Sequence, residues 1–156
     1  RNPTAYTSRE SLFGTPAPGD PLFQQLPGLI ATLRELFPEA TFYAPLGVGS
    51  HVDHLITFAV ARATLGDAVR FYEDIHYVLA PGALEQRMGG IAEPLRPEPG
   101  AIDGALDQKI QAIHAYASQL GELFGSIDAM GPAVTAYARQ VRPAGAEYGE
   151  RLWVPA

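Results

Sequence analysis

His51, Asp53 and His54 bring two imidazoles and a carboxylate into four consecutive positions, within Gly47-Val48-Gly49-Ser50-His51-Val52-Asp53-His54. If Ser50 opens a helix, His51 and His54 fall three residues apart on one face of its first turn and can address a common point. Two neutral imidazoles at that spacing suit a divalent metal, or one binds metal while the other does acid or oxyanion work. A catalytic zinc takes three protein ligands and keeps a fourth position open, so the motif does not hold a full set. Helix capping and buried histidines satisfied by their neighbours are the structural alternative for the same residues.

The elements that must position this cluster are legible on either side of it. Thr41-Phe42-Tyr43-Ala44-Pro45 is a β-prone run, glycines permit a tight turn, and Ser50 with Asp53 spells an S-x-x-D capping signal. The helix from Ser50 to about Leu65 is apolar nearly all round, which predicts burial, with Arg62 the charge that reaches solvent. Gly66 stops it, and Ala68 to Tyr72 reads as a second strand. Strand, helix and strand in about 30 residues match a parallel βαβ unit with a right-handed crossover. Ligands in open α/β sheets lie beyond the carboxyl ends of the strands, which places the His51 corner and Glu73-Asp74 on one rim. Paired carboxylates there ligate metal, position a hydroxylated substrate, or end a strand in solvent.

Elsewhere the signals are structural. Residues Arg1 to Gly19 are polar and irregular, with Arg1, Tyr6 and Arg9 free to act on the surface or to meet a ligand. Asp20-Pro21 starts a helix that Pro27 should kink or split and Pro38 ends. Gly82 to Gly104 is rich in Gly and Pro and reads as a lid, an entrance loop or a plain connection. Asp103 is placed to cap a long helix through Leu106, Ile110, Ile113, Ala117, Leu120 and Phe124, with His114 at its boundary. Another helix is expected from Asp128 to Val141, and a terminal strand within Ala146 to Val154. There is no internal repeat and no linker between two domains.

At 156 residues and 47% apolar the chain can build one real core. Seventeen acidic against eleven basic residues, with no basic run, argue against nucleic acid or an anionic membrane as partner. There is no cysteine, so any metal must be held by His, Asp or Glu. No apolar run reaches the roughly 20 residues that span a bilayer, and no signal-peptide pattern is present, which gives a cytoplasmic expectation.

Tyr43-Ala44-Pro45-Leu46-Gly47-Val48-Gly49-Ser50-His51-Val52-Asp53-His54 and then Phe71-Tyr72-Glu73-Asp74-Ile75-His76-Tyr77 resemble the second half of the PIG-L/LmbE family of zinc-dependent N-deacetylases. Lys109, Ala112, Tyr116, Ser118 and Gln119 resemble a later helical pattern of that family, and Tyr148 with Glu150 its end motif. His76 departs from the pattern, standing where many relatives carry proline, and reads as a partly exposed histidine rather than a ligand. The resemblance implies an α/β fold, Rossmann-like, with an open, mostly parallel sheet flanked by helices. It implies Zn2+ bound by His54, catalytic roles for His51 and Asp53, and Asp74 and Tyr148 on the substrate side, Asp74 as a lining or supporting group. The family's Ala-His-Pro-Asp-Asp-like motif, which carries two zinc ligands and the general base, is not in these residues. Residues 1–156 are therefore expected to be the C-terminal part of a single deacetylase domain, with the N-terminal segment as its partner, cleaved or on a separate chain. The implied activity is removal of an acetyl or acyl group from an N-acetylglucosamine-type or related amide. A non-catalytic sugar-binding or regulatory fragment that keeps the fold without metal is the competing expectation.

Overall fold

The computed structural model describes residues 6–156. Arg1 lies outside them, so its proposed contact has no structural counterpart here. The elements are α1 (Arg9–Leu12), α2 (Leu22–Leu36), β1 (Phe42–Pro45), α3 (Val52–Leu65), β2 (Val69–Tyr72), α4 (Ala83–Gly89), β3 (Leu95–Ala101), α5 (Leu106–His114), α6 (Ala117–Phe124), α7 (Ile127–Gln140) and β4 (Gly149–Pro155). Four strands form a mixed α/β architecture's open sheet in the order β1-β2-β4-β3. Two compact units share the chain: one runs to Arg96 and takes in Trp153–Ala156, the other is Pro97–Leu152. No linker marks the division, which falls inside β3 and β4.

In the first unit, β1 and β2 pair in parallel, Phe42 opposite Val69 through Pro45 opposite Tyr72. Leu46 N–H extends the ladder one step by donating to Tyr72 O. The core gathers on this pair: Ala44, Leu46, Val48, Val69 and Phe71 are buried with Ala61 and Leu65 of α3. Alternation along β2 puts Val69 and Phe71 inside and Tyr72 outside, as a half-buried strand should. Phe71 packs against Phe58 of α3 at 4.5 Å between ring centres, the rings tilted by 43°, which fixes the helix over the strand. Gly66 ends α3 with φ 58° and ψ −121°, a combination open to glycine and strained for a residue with a Cβ.

Several expectations change in contact with the fold. Ser50 is not the N-cap; it sits at φ 61° in the turn, and His51 takes the cap position. The solvent-facing positions of α3 are Ala59 and Ala63, while Arg62 is half-buried and pairs with Glu93 at 2.7 Å. Pro27 sits inside an unbroken α2, because losing one backbone hydrogen bond does not split a helix of 15 residues. That helix buries none of its residues, and Leu29, Leu36 and Phe37 are exposed. The Gly- and Pro-rich stretch holds both α4 and β3. β3 tolerates Pro97 and Pro99 because it is at the end of the sheet; residues two apart direct their N–H positions to the same side, so both missing donors fall on the unpaired edge.

In the second unit the expected long helix is two. α5 and α6 separate at Tyr116, whose ψ of 38° leaves the helical region with no proline or glycine nearby to cause it. Asp103 does not cap α5; its Oδ1 accepts from Glu147 N–H at 3.0 Å and Tyr148 N–H at 2.7 Å. α7 is capped by Ser126, which accepts from Ala129 N–H, and buries Met130, Val134, Tyr137 and Ala138, one helical face. Lys109 Nζ donates to Glu150 at 2.6 Å. Among the described residues no helix is long and apolar enough to cross a membrane.

Candidate functional site

Parallel pairing of β1 and β2 sends both chains out at the same end of the sheet, Gly47–His54 from one and Glu73–Tyr77 from the other. Asp74 fastens the two loops together. It is 4% exposed, and its Oδ2 accepts from Gly47 N–H at 2.8 Å and Val48 N–H at 2.9 Å. Its Oδ1 lies 2.6 Å from His54 Nδ1, close but off the straight line of a ring N–H bond, and neither atom meets any other protein group among the described residues. A carboxylate at that distance holds the proton of a neutral imidazole on Nδ1 and leaves the Nε2 lone pair outward. The His54 side chain is 34% exposed although its Nδ1 is buried, so the exposed part is the rest of the ring.

His51 is set differently. Its Nδ1 accepts from Asp53 N–H at 3.2 Å, an N-capping bond that occupies this nitrogen's lone pair and puts the neutral ring's proton on Nε2. Of Asp53, then, the main-chain N–H addresses His51, and its C=O accepts from Thr57 Oγ1 at 2.7 Å. The two imidazoles are 5.2 Å apart between ring centres, one offering a lone pair and the other an N–H. Glu73 is also buried, and it accepts from Trp153 Nε1 at 2.7 Å, so neither carboxylate of the Glu73-Asp74 pair ends its strand in solvent.

Tyr77, Phe13 and Arg87 belong to the site although the sequence assigned them no role. Tyr77 stands edge-on to His54 at 6.1 Å, to Phe13 at 5.9 Å and to His76 at 4.9 Å. Phe13 stands edge-on to His51 at 5.2 Å and pairs with it as an antiparallel bridge, so the N-terminal stretch reaches the corner. Arg9 lies over Phe13, and Tyr6 accepts from Ala17 N–H through its hydroxyl. Arg87 Nε donates to Leu46 O at 2.7 Å, and burial lowers the guanidinium's pKa while the nearby Asp74 charge opposes the shift. An Arg forty residues on leaves no local trace in a sequence; adjacency to Glu73-Asp74 was the one available signal for Tyr77. His76 has φ 77° and ψ −60°, a strained γ-turn conformation for a residue with a Cβ. His114 is exposed on α5.

Tyr148 lies in the second unit, where its hydroxyl accepts from Arg139 at 3.1 Å and its ring lies under the same guanidinium. Among the described residues no three His, Asp or Glu side chains come together as a metal-binding group. His54 fits one position of such a group, by the exposure of its ring and the carboxylate behind it; the remaining donors are not in this set.

No protein-family model matches the chain. It is 34% identical over 84 residues, 51% of its length, to the 2'-N-acetylparomamine deacetylase of Streptomyces fradiae, of which it covers 30%. Among solved structures it resembles a deacetylase triple mutant (Orf2*T) of the teicoplanin biosynthetic pathway, with TM-score 0.69 and 26% identity over 86% of this chain and 57% of that one. It equally resembles the zinc inhibited form of teicoplanin deacetylase Orf2, with TM-score 0.68 and 26% identity over 86% and 52% of the two chains. The chain thus spans about half the length of the solved deacetylases it matches, and less than a third of the curated one.

Proposed function

We propose that this chain is part of a zinc-dependent N-deacetylase of the PIG-L/LmbE type, hydrolysing the acetamido group of an amino sugar or a related amide. The observation that carries the reading is His54, backed by the buried carboxylate of Asp74 and open on the rest of its ring. The likeness to deacetylases of an aminoglycoside precursor and of teicoplanin supports amide hydrolysis on an amino-sugar substrate. The zinc inhibited neighbour supports zinc as the metal. Zinc, when bound, polarises an amide carbonyl and lowers the pKa of a coordinated water.

The chain's own residues then divide the work. His54 gives a lone pair from Nε2, and Asp74 fixes its tautomer and ring plane. His51 presents Nε2–H to the oxygen that gains charge as the amide is attacked. Asp53 holds the His51 ring through its main-chain N–H. The two further ligands and the general base come from polypeptide outside these residues, the N-terminal segment of the same domain.

Metal analysis tests the division. In protein that carries the whole ligand set, His54→Ala should lose bound zinc and activity together, whereas His51→Ala should keep zinc and lose on the order of 10²-fold in turnover. Full zinc occupancy in the His54→Ala protein overturns the assignment. A second reading, sugar binding without hydrolysis, is favoured by the lack of a three-ligand group among the described residues. It requires an affinity for amino sugars that chelators leave untouched.

A further inference from the structure

The peptide unit that joins Leu46 to Gly47 stands between two opposite charges. Its C=O accepts from Arg87 Nε at 2.7 Å, and its N–H donates to Asp74 Oδ2 at 2.8 Å. Leu46 and Gly47 are both buried, so these two bonds replace water on the unit. The unit lies just past β1: Leu46 N–H still bonds to Tyr72 O, and the next peptide leaves the ladder and finds its partners in side chains.

A glycine at position 47 leaves this unit free to turn over. Rotating the peptide plane exchanges its C=O and N–H and reverses the sign of φ at Gly47, and glycine accepts either sign. In the structure that φ is 86°. A residue with a Cβ has no room there, since the added carbon would lie 2.9 Å from Leu55 Cδ2 and 3.2 Å from Arg87 Nε. The close approach of Arg87 therefore calls for a glycine, and the freedom that glycine brings has to be restrained by something else.

We infer that Arg87 is a positioning residue for His54: with Asp74 it clamps the Leu46–Gly47 peptide in one orientation, and the clamped amide holds Asp74 against the imidazole. The inference rests on the deacetylase reading for what His54 does, and not for the clamp. Turned over, the peptide would aim its oxygen at a carboxylate and its N–H at a guanidinium, exchanging two charge-assisted hydrogen bonds for two repulsions. In the observed orientation each bond polarises the peptide in the sense that strengthens the other. Asp74 Oδ2 is thereby kept on Gly47 N–H and Val48 N–H, which leaves Oδ1 at 2.6 Å from His54 Nδ1. A side-chain amide at position 87 could meet either orientation, because it carries a donor and an acceptor; a guanidinium carries donors alone. Arg87 is itself held, its guanidinium 4.5 Å over the Phe58 ring, which packs against buried Phe71.

Amide hydrogen exchange and NMR relaxation dispersion on the metal-free protein test the clamp. In Arg87→Met, Gly47 N–H should exchange roughly tenfold faster than in wild type, while Leu46 N–H, one residue back and bonded to Tyr72 O, changes by less than about twofold. Gly47 and the ring nitrogens of His54 should then show one common exchange process that wild type lacks. Arg87→Lys should restore the protection, since its ammonium carries donors alone and reaches one atom beyond the position of Nε; Arg87→Gln should not. Circular dichroism and thermal melting report that the variants fold, and if Arg87→Met does not, the Lys and Gln variants decide between them. Equal acceleration at Leu46 and Gly47 shows general packing and overturns the inference. So does a mobile Gly47 that leaves His54 still, or a Gln variant that protects Gly47 as well as the Lys variant does. None of these readings needs zinc, so the clamp and the ligand assignment fail separately: zinc retained in His54→Ala overturns the second and leaves the first standing.

Discussion

Replacing Asp74 with asparagine changes one atom's hydrogen-bonding sign at the centre of the site. Both Gly47 and Val48 donate to Oδ2, so the single amide oxygen of Asp74→Asn must stay there, and the NH₂ group takes the Oδ1 position, 2.6 Å from His54 Nδ1. A donor facing Nδ1 requires that nitrogen to be unprotonated, which moves the neutral ring's proton to Nε2 and removes the lone pair that the proposed function assigns to metal. Loss of such a carboxylate behind a ligating histidine costs about 10- to 100-fold in metal affinity. Stability also falls, since two charge-assisted bonds become neutral ones at about 1 kcal/mol each, giving about 2 kcal/mol and a melting temperature lower by about 4–8 °C. Imidazole ¹⁵N shifts read the tautomer directly in this chain. Wild type should show His54 protonated at Nδ1, Asp74→Asn at Nε2, and a variant spectrum like wild type refutes the proposed orientation.

Other perturbations address the frame around the corner. A Cβ on Gly49 would lie 2.5 Å from Tyr77 Cγ and Cδ1, and φ is 83° there, so Gly49→Ala should destabilise by about 2–4 kcal/mol in urea denaturation through overpacking and backbone strain. Trp153→Phe removes the 2.7 Å bond to buried Glu73 and should cost about 1.5–3 kcal/mol by the same assay. Burial, and then the Asp74 charge, raise the Tyr72 pKa above its ordinary 10. Folding therefore favours the protonated phenol, and that stability is complete below pH 10 and lost as pH rises through the folded-state value. Denaturation between pH 9 and 11 should show a decline that Tyr72→Phe lacks.

What the sequence made legible was whatever depends on local periodicity. β1, α3, β2, the Gly66 stop and the shared rim all follow from runs of apolar residues and single glycines, because one βαβ unit is closed by contacts near in sequence. The errors have a different origin. Pro97 and Pro99 argue against a strand until the strand is known to be at an edge, which is a property of the sheet and not of the segment. Ser50 spells a cap, yet tertiary contacts put it in the turn and give the cap to His51. Arg87, Phe13 and the Glu73–Trp153 bond join residues far apart in the chain, and no local pattern encodes them. Asp74 was legible as a carboxylate at the right rim, but its choice of partners, two main-chain amides and one imidazole, depends on the turn at Gly47 and Val48.

Ser50 and His76 are the two non-glycine residues with positive φ among the described residues, and they stand in the two loops that Asp74 joins. A side chain in such a conformation costs on the order of 1–3 kcal/mol, which the surroundings must offset. Here the offset is visible. Gly47 at φ 86° and Gly49 at φ 83° turn the chain so that two amides face one buried carboxylate, and the Tyr77 ring packs into the space a Cβ at Gly49 would take. The strain is concentrated where, on the proposed roles, His54 presents its Nε2 lone pair and His51 its Nε2 proton. Relaxing either loop to ordinary backbone angles would move a ring whose tautomer depends on a neighbour within 3.2 Å. The strained loops thus carry the two different settings of the histidines, Asp53 N–H on His51 Nδ1 and the Asp74 carboxylate beside His54 Nδ1.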